Sequence, residues 1–216
     1  MFGGHVNTDI ASSPRVSVGI VSRYIALEGV DGSGKSTVAS ALAERLEAEG
    51  TKVIVVREPG GTALGEVVRG LLLDSESLDD WAEVFLFAAQ RAELAAELVK
   101  PALDAGTWVI SDRTYYSSMA YQGNARGLGV DRVRDINELG LRGVVPDLVF
   151  VLDVDPKQAL RRQDRPDRIG RESAVFQSRV REGYLALAAA DPERVIVLDG
   201  SADVGEIVDS ILERVS

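Results

Sequence analysis

Nine residues, GVDGSGKST from Gly29 to Thr37, join a short apolar run, Tyr24-Ile25-Ala26-Leu27, to a stretch in which Val38, Ala41, Leu42 and Leu46 recur at helical spacing. They fit GxxxxGK[ST], and the order strand, glycine-rich loop, helix confines the chain to a small set of α/β arrangements. Gly29, Gly32 and Gly34 permit turns tight enough for successive backbone N–H groups to converge on an anion at a helix start. In such a loop a lysine reaches the outer phosphates of a nucleotide and the following hydroxyl ligates Mg²⁺. Gly29, Val30, Asp31, Gly32, Ser33, Gly34, Lys35, Ser36 and Thr37 therefore form the candidate ATP-binding segment, with Lys35 catalytic and Ser36 a metal ligand. A glycine-rich turn capping an ordinary helix is the rival explanation, and the strand in front argues against it.

The alternation continues. KVIVVR (Lys52 to Arg57), TWVISD (Thr107 to Asp112), DLVFVLD (Asp147 to Asp153) and RVIVLD (Arg194 to Asp199) are apolar runs separated by helical patterns, five strands with the first. Continuous apolar strands between helices indicate a sheet buried on both faces. The expected fold is α/β, a three-layer P-loop NTPase sandwich with a five-stranded parallel sheet flanked by helices. Val204, Ile207, Val208, Ile211, Leu212 and Val215 place the last helix with one face on that sheet. A length of 216 residues suits one such domain, expected over 23–216. Residues 1–22, which contain Gly, Ser, Asn and Pro without sustained periodicity, read as a disordered N-terminal extension.

With no cysteine and a single histidine, His5, thiol nucleophiles, thiolate metal sites and histidine-based triads are excluded. Catalysis has to run on Asp, Glu, Lys, Arg and bound metal. A net charge of −10 argues against nucleic-acid or anionic-membrane partners. No apolar stretch reaches spanning length and no secretory leader is visible, so a cytoplasmic location is expected.

Ligands of parallel sheets bind beyond the strands' carboxyl ends, which brings four polar clusters to one cleft. They are the glycine-rich loop, Arg57-Glu58-Pro59-Gly60-Gly61, Asp112-Arg113 and an arginine-rich segment after the fourth strand. Asp112 suits a metal-facing or proton-accepting carboxylate, and it equally suits the cap of a following helix. RRQDRPDRIGR, residues 161–171, holds five arginines and two aspartates. Such a run is either a solvated basic face or a lid, about 161–172, that closes over ATP with Arg165, Arg168 and Arg171 as charge donors. Phe87 and Arg91 share a helix face, and spacing alone makes Phe87 a core residue and Arg91 a surface one.

Taken together, GVDGSGKST, REPGGT (Arg57 to Thr62), FAAQR (Phe87 to Arg91) and DRTYYSSMAYQG (Asp112 to Gly123) resemble the thymidylate kinase family from about Tyr24 onward. The resemblance implies transfer of the γ-phosphoryl group of ATP to dTMP, in dTTP synthesis, with Mg²⁺ as cofactor and a homodimer as the assembly. It implies that Asp31 holds the 3′-hydroxyl of dTMP and that Arg69 and Arg113 grip its phosphate. Phe87 would stack on thymine, Arg91 and Gln122 would hydrogen-bond the base, and Tyr121 would crowd a ribose 2′-hydroxyl. Glu58, Pro59 and Ser118 complete the implied pocket, and Asp112 joins Ser36 at the metal. Eukaryotic-type members carry an arginine where this chain has Gly32, which points to the 161–171 segment as the source of catalytic charge. Thr114 stands where an aromatic or histidine commonly follows the Asp-Arg pair. Two other readings stay open at this level. One is a P-loop kinase with a different acceptor. The other is a nucleotide-dependent switch, although the NKxD element of guanine readers is absent.

Overall fold

Each residue of YIALE is buried, and this strand, β1 (Tyr24–Glu28), forms the middle of the sheet. The computed structural model describes residues 23–162 and 167–215. β1 leads through the glycine loop into α1 (Lys35–Ala48), then β2 (Val53–Arg57), α2 (Ala63–Asp74) and α3 (Asp80–Leu94). α3 runs through a wider π-type turn, Ala95–Val99, into α4 (Lys100–Asp104) and β3 (Trp108–Asp112). Next come α5 (Tyr115–Ser118), a second π-type segment (Met119–Ala125) and α6 (Val130–Leu141). The chain closes with β4 (Leu148–Asp153), α7 (Pro156–Arg161), α8 (Ala174–Ala190), β5 (Val195–Asp199) and α9 (Val204–Val215).

The five strands are parallel, as the apolar runs predict, each of the last four beginning one residue later than its run, and the sheet order, which the runs leave open, is β2-β3-β1-β4-β5. Alternation along β1 divides the core. Ile25 and Leu27 face α1 and α9, where Val38, Leu42, Leu46, Ile207, Val208 and Ile211 are buried. Ala26 and its neighbours on the other face meet the helical layer that includes Phe87, Met119, Val180 and Tyr184. Both faces are therefore dry, which is why these strands read as unbroken apolar runs. Helix starts are set by short polar caps: Thr62 Oγ1 accepts from Gly65 N, Asp79 Oδ1 from Trp81 N and Ala82 N, and Ser173 Oγ from Phe176 N.

Register does the rest of the positioning. Asp112 at the end of β3 pairs with Leu27 of β1 on one side and Arg57 of β2 on the other. The glycine loop, the Arg57-Glu58-Pro59 turn and the Asp112-Arg113 turn consequently leave the sheet at one level. No helix among the described residues is long and apolar enough to cross a membrane.

Candidate active site

The loop between β1 and α1 adopts left-handed backbone at Gly32 (φ +82°) and Gly34 (φ +97°). Gly32 has a second constraint, because a Cβ there would lie 2.2 Å from the Ala159 carbonyl oxygen of α7. Lys35 Nζ, buried, donates to Val30 O at 2.9 Å and Gly29 O at 3.2 Å, with Ser33 Oγ at 3.4 Å. The ammonium is thus parked on the carbonyls of its own loop, at the mouth of a cavity of about 530 Å³ lined by Asp31 to Val38, Asp112, Arg113 and Arg162. Burial, and then repulsion from Arg113, pull the Lys35 pKa down to about 8 against the opposing carboxylates Asp112, Asp31 and Glu28. Polyphosphate binding supplies compensating negative charge and restores the proton. Proton uptake should therefore accompany ATP binding above pH 8, and affinity should fall by up to about tenfold per pH unit toward the ordinary lysine value. Calorimetry at pH 8.5 in buffers of different ionisation enthalpy measures this directly, and buffer-independent heats would refute it.

The Ser36 hydroxyl donates to the Asp112 carboxylate, so a hydroxyl from the helix start and a carboxylate from the end of β3 meet at the cavity floor. Two adjacent hard oxygens of this kind fit Mg²⁺, which takes few protein ligands and keeps its other positions for water and phosphate.

Arg113 has φ +76°, a left-handed conformation that costs a non-glycine residue on the order of 1 kcal/mol or more. A buried acid explains how the turn is held. Glu28, with 0% exposure, accepts hydrogen bonds from Thr114 N (2.7 Å), Thr114 Oγ1 (2.8 Å), Ser117 Oγ (2.6 Å) and Tyr184 OH (2.8 Å). Arg113 itself donates to Gly29 O at 3.1 Å and Ser117 Oγ at 3.0 Å, pairs with Asp31 and sits 5.3 Å from the Tyr121 ring centroid. Burial opposes charge on Asp31, yet Arg113 and Lys35 outweigh it and hold that carboxyl below its ordinary range.

Asp31 and Arg113 also line a second cavity, of only about 50 Å³, together with Phe87, Ser118, Tyr121 and Gln122. Six of the residues expected to touch an acceptor nucleotide are therefore brought together there. The space is narrow because Leu73 of α2 and Asp167 and Ile169 from the segment before α8 complete its walls. Glu58, Pro59, Arg69 and Arg91 do not line it. Arg69 donates to Pro59 O at 2.7 Å near Arg57, which pairs with Glu66 at 3.6 Å. Arg91 is buried rather than on the surface as spacing favours. It pairs with Glu58, donates to Asn137, and reaches Ser118 Oγ (3.2 Å) and Thr114 O (3.3 Å). Four of its five N–H groups are thereby used inside the protein. Within α3, Val84 and Leu94 are buried but Phe85 is 57% exposed.

The arginine-rich segment divides. Arg162 lines the phosphate cavity, while Arg168 donates to Glu83 at 2.5 Å and to Leu72 O at 2.9 Å. Arg168 is thus drawn to a buried carboxylate of α3 and not over the glycine loop. Arg171 lies beside Arg126 and Arg168 in a shallow outer groove, and Arg165 falls outside the described residues.

Sequence reasoning passed over Glu28, Ser117, Tyr184, Glu83 and Arg162. Glu28 was visible as an acid continuing a fully apolar strand, and Glu83 as an acid one turn before Phe87 on the same helix face. Tyr184 gave no signal, since a tyrosine in an apolar helix is ordinarily core.

Comparisons with known proteins agree with this geometry. The thymidylate kinase family model matches residues 27–211. A thymidylate kinase of Caldanaerobacter subterraneus subsp. tengcongensis is 44% identical over 185 residues, 84% of this chain and 89% of its own. One from Pelotomaculum thermopropionicum is 47% identical over 185 residues, 83% of this chain and 86% of its own. The crystal structure of thymidylate kinase from Ehrlichia chaffeensis superposes with a TM-score of 0.74 at 34% identity, covering 89% of this chain and 97% of that one. With a phosphate loop, a second cavity adjoining it and this breadth of similarity, the chain belongs to the thymidylate kinase family, whose reaction is ATP-dependent phosphorylation of dTMP.

Proposed function

We propose that Mg·ATP occupies the larger cavity and dTMP the smaller, with the acceptor phosphate meeting the γ-phosphoryl group at Arg113. The observation that carries this is the sharing of Asp31 and Arg113 between the two cavities. A nucleotide phosphate is already ionised near pH 7 and needs no strong general base. An oxygen of dTMP forms the new bond to the γ-phosphorus in line while the bond to the β–γ bridging oxygen breaks, and ADP leaves. Lys35 and Arg113 neutralise charge on the transferring group, and the loop N–H groups fix its direction. Ser36 and Asp112 would hold Mg²⁺, which when bound offsets charge on the β- and γ-phosphates.

On the acceptor side Asp31 takes the 3′-hydroxyl, Phe87 stacks on the base, Tyr121 crowds a 2′-hydroxyl and Gln122 reads the ring edge. Arg69, with Pro59 and Glu58 setting its corner, grips the 5′-phosphate. Arg91 and Ser118 brace this wall through their mutual hydrogen bond. Among lid arginines, Arg162 has the support of its position in the phosphate cavity, with Arg165 and Arg171 supplementing it on closure. Arg168 closes the acceptor side. A coupled assay with dTMP, dUMP, dCMP, AMP and thymidine tests the reading. We expect dTMP to be preferred, with dUMP weaker by about 10–200-fold, the worth of one methyl in an apolar pocket. Equal use of all five acceptors would sink it.

The homodimer reading has support on α2 and α3. Leu64, Val67 and Leu71 recur along the outer face of α2 at 44%, 64% and 48% exposure, and Phe85 is exposed on α3, which packs against α2. An apolar helix face of this kind fits a second copy of the chain. Val67→Glu should lower the mass by half in light scattering, and an unchanged mass would remove this face from the interface. The reaction it serves, dTTP synthesis, belongs in the cytoplasm.

A further inference from the structure

Glu83 is a heavily used buried acid of α3. It is 1% exposed, one turn before Phe87 on α3. Its Oε1 accepts from Gln122 Nε2 at 2.7 Å and Arg126 Nε at 2.9 Å, and its Oε2 from Arg126 Nη2 at 3.2 Å and Arg168 Nη2 at 2.5 Å. Burial resists ionisation there, but the bonds and charges of Arg126 and Arg168 prevail and keep the carboxyl below its ordinary range. An ionised carboxylate has no proton to give, so the Gln122 atom against it has to be the NH₂ group. The Gln122 carbonyl oxygen is thereby turned away from Glu83, on a side chain that lines the small cavity. No donor among the described residues meets that oxygen, and it is not among the atoms sealed from solvent without a partner. Gln122 also lies in the π-type segment, whose widened turn is a common device at functional sites.

We propose that Glu83 is a specificity-positioning residue, which by locking the Gln122 amide presents a carbonyl oxygen, and not an NH₂ group, to the edge of the acceptor base. Thymine and uracil carry a donor at N3 and complete a hydrogen bond with that oxygen. Cytosine carries a lone pair at N3 and meets it oxygen to nitrogen. The device thus selects for the protonated N3 edge, independently of any pocket for the 5-methyl group. This rests on the smaller cavity being the dTMP site.

The test is the ratio of kcat/KM for dTMP to that for dCMP in the parent, Glu83→Gln, Arg168→Met and the double variant Glu83→Gln/Arg168→Met. A neutral amide at 83 both donates and accepts, so Gln122 is free to turn over, and the ratio should fall at least about tenfold. Arg168 touches Oε2 and not the oxygen that holds Gln122, so Arg168→Met should shift both substrates together and keep the ratio. If Glu83→Gln unfolds because two guanidiniums lose their anion, the double variant, which removes one cation with the charge, should show the same fall. Equal losses toward both acceptors, leaving the ratio within about twofold of the parent, would overturn the proposal. So would a fall of the ratio in Arg168→Met alone as large as that in Glu83→Gln. A parent that does not prefer dTMP to dCMP would instead overturn the assignment of the cavity itself.

Discussion

Lys35→Ala is expected to reduce kcat with ATP and dTMP by at least about a thousandfold while leaving the fold intact. The side chain is the single buried ammonium of the loop among the described residues, and its carbonyl partners keep other donors, Gly29 O from Arg113 at 3.1 Å and Val30 O from Ser33 N at 3.2 Å, so the truncation strands no acceptor. Because phosphoryl transfer here depends on positioning and charge neutralisation, no other group takes over when that charge is removed. The loss should sit in kcat more than in KM for dTMP, since Lys35 does not line the smaller cavity proposed for dTMP. Rapid-quench kinetics resolves the two. Turnover within tenfold of the parent would refute the role of the loop, and a matching loss in thermal stability would refute its specificity.

The second large effect is on stability. Arg91→Leu should destabilise the fold by about 3–5 kcal/mol, because it leaves Glu58 charged and unpaired in the interior. For a chain of this size that corresponds to a fall in Tm of roughly 10 °C. Burial already raises the Glu58 carboxyl above its usual range, with Arg91 as the chief counterweight. Removing Arg91 raises it further. A carboxyl whose folded pKa lies above the unfolded value adds stability that is full below the unfolded pKa and is lost as pH rises through the folded one. The deficit of the variant should accordingly narrow between pH 7.5 and pH 5, read by urea unfolding at each pH. A deficit that widens toward acid would show that Glu58 is not the stranded charge.

The two predictions mark what the sequence made legible and what it hid. GVDGSGKST and five apolar runs announce the parallel sheet and the loop, though not the order of the strands in the sheet, because glycine turns and doubly buried strands leave signatures within a few residues. The site's polar scaffold leaves none of that kind. Glu28 and Tyr184 are 156 positions apart, Glu58 and Arg91 33 apart, and Glu83 and Arg168 85 apart, so their pairing exists only once the fold does. Arg91 looks like a surface residue in its own helix, since the acid that buries it comes from the end of a strand. Arg168 looks like a lid charge bound for ATP for the same reason, its actual partner being Glu83, an acid on α3 far away in sequence. Local pattern reveals elements and the anion loop, whereas the choice of partner for a buried charge is a tertiary event.

The contact between Gly32 and Ala159 has a steric corollary for how catalytic charge is distributed. The carbonyl of α7 occupies the space into which any side chain at position 32 would grow, so an arginine in the loop and α7 seated at this depth exclude one another. α7 ends at Arg161, and Arg162, its C-cap, lines the larger cavity. Placing an arginine in the loop is therefore not a one-residue exchange, because Gly32→Arg would push α7 outward and carry away from the cavity the Arg162 guanidinium that already stands there. At this position a loop-borne charge and the Arg162 charge are separated by a backbone displacement and not by a point mutation.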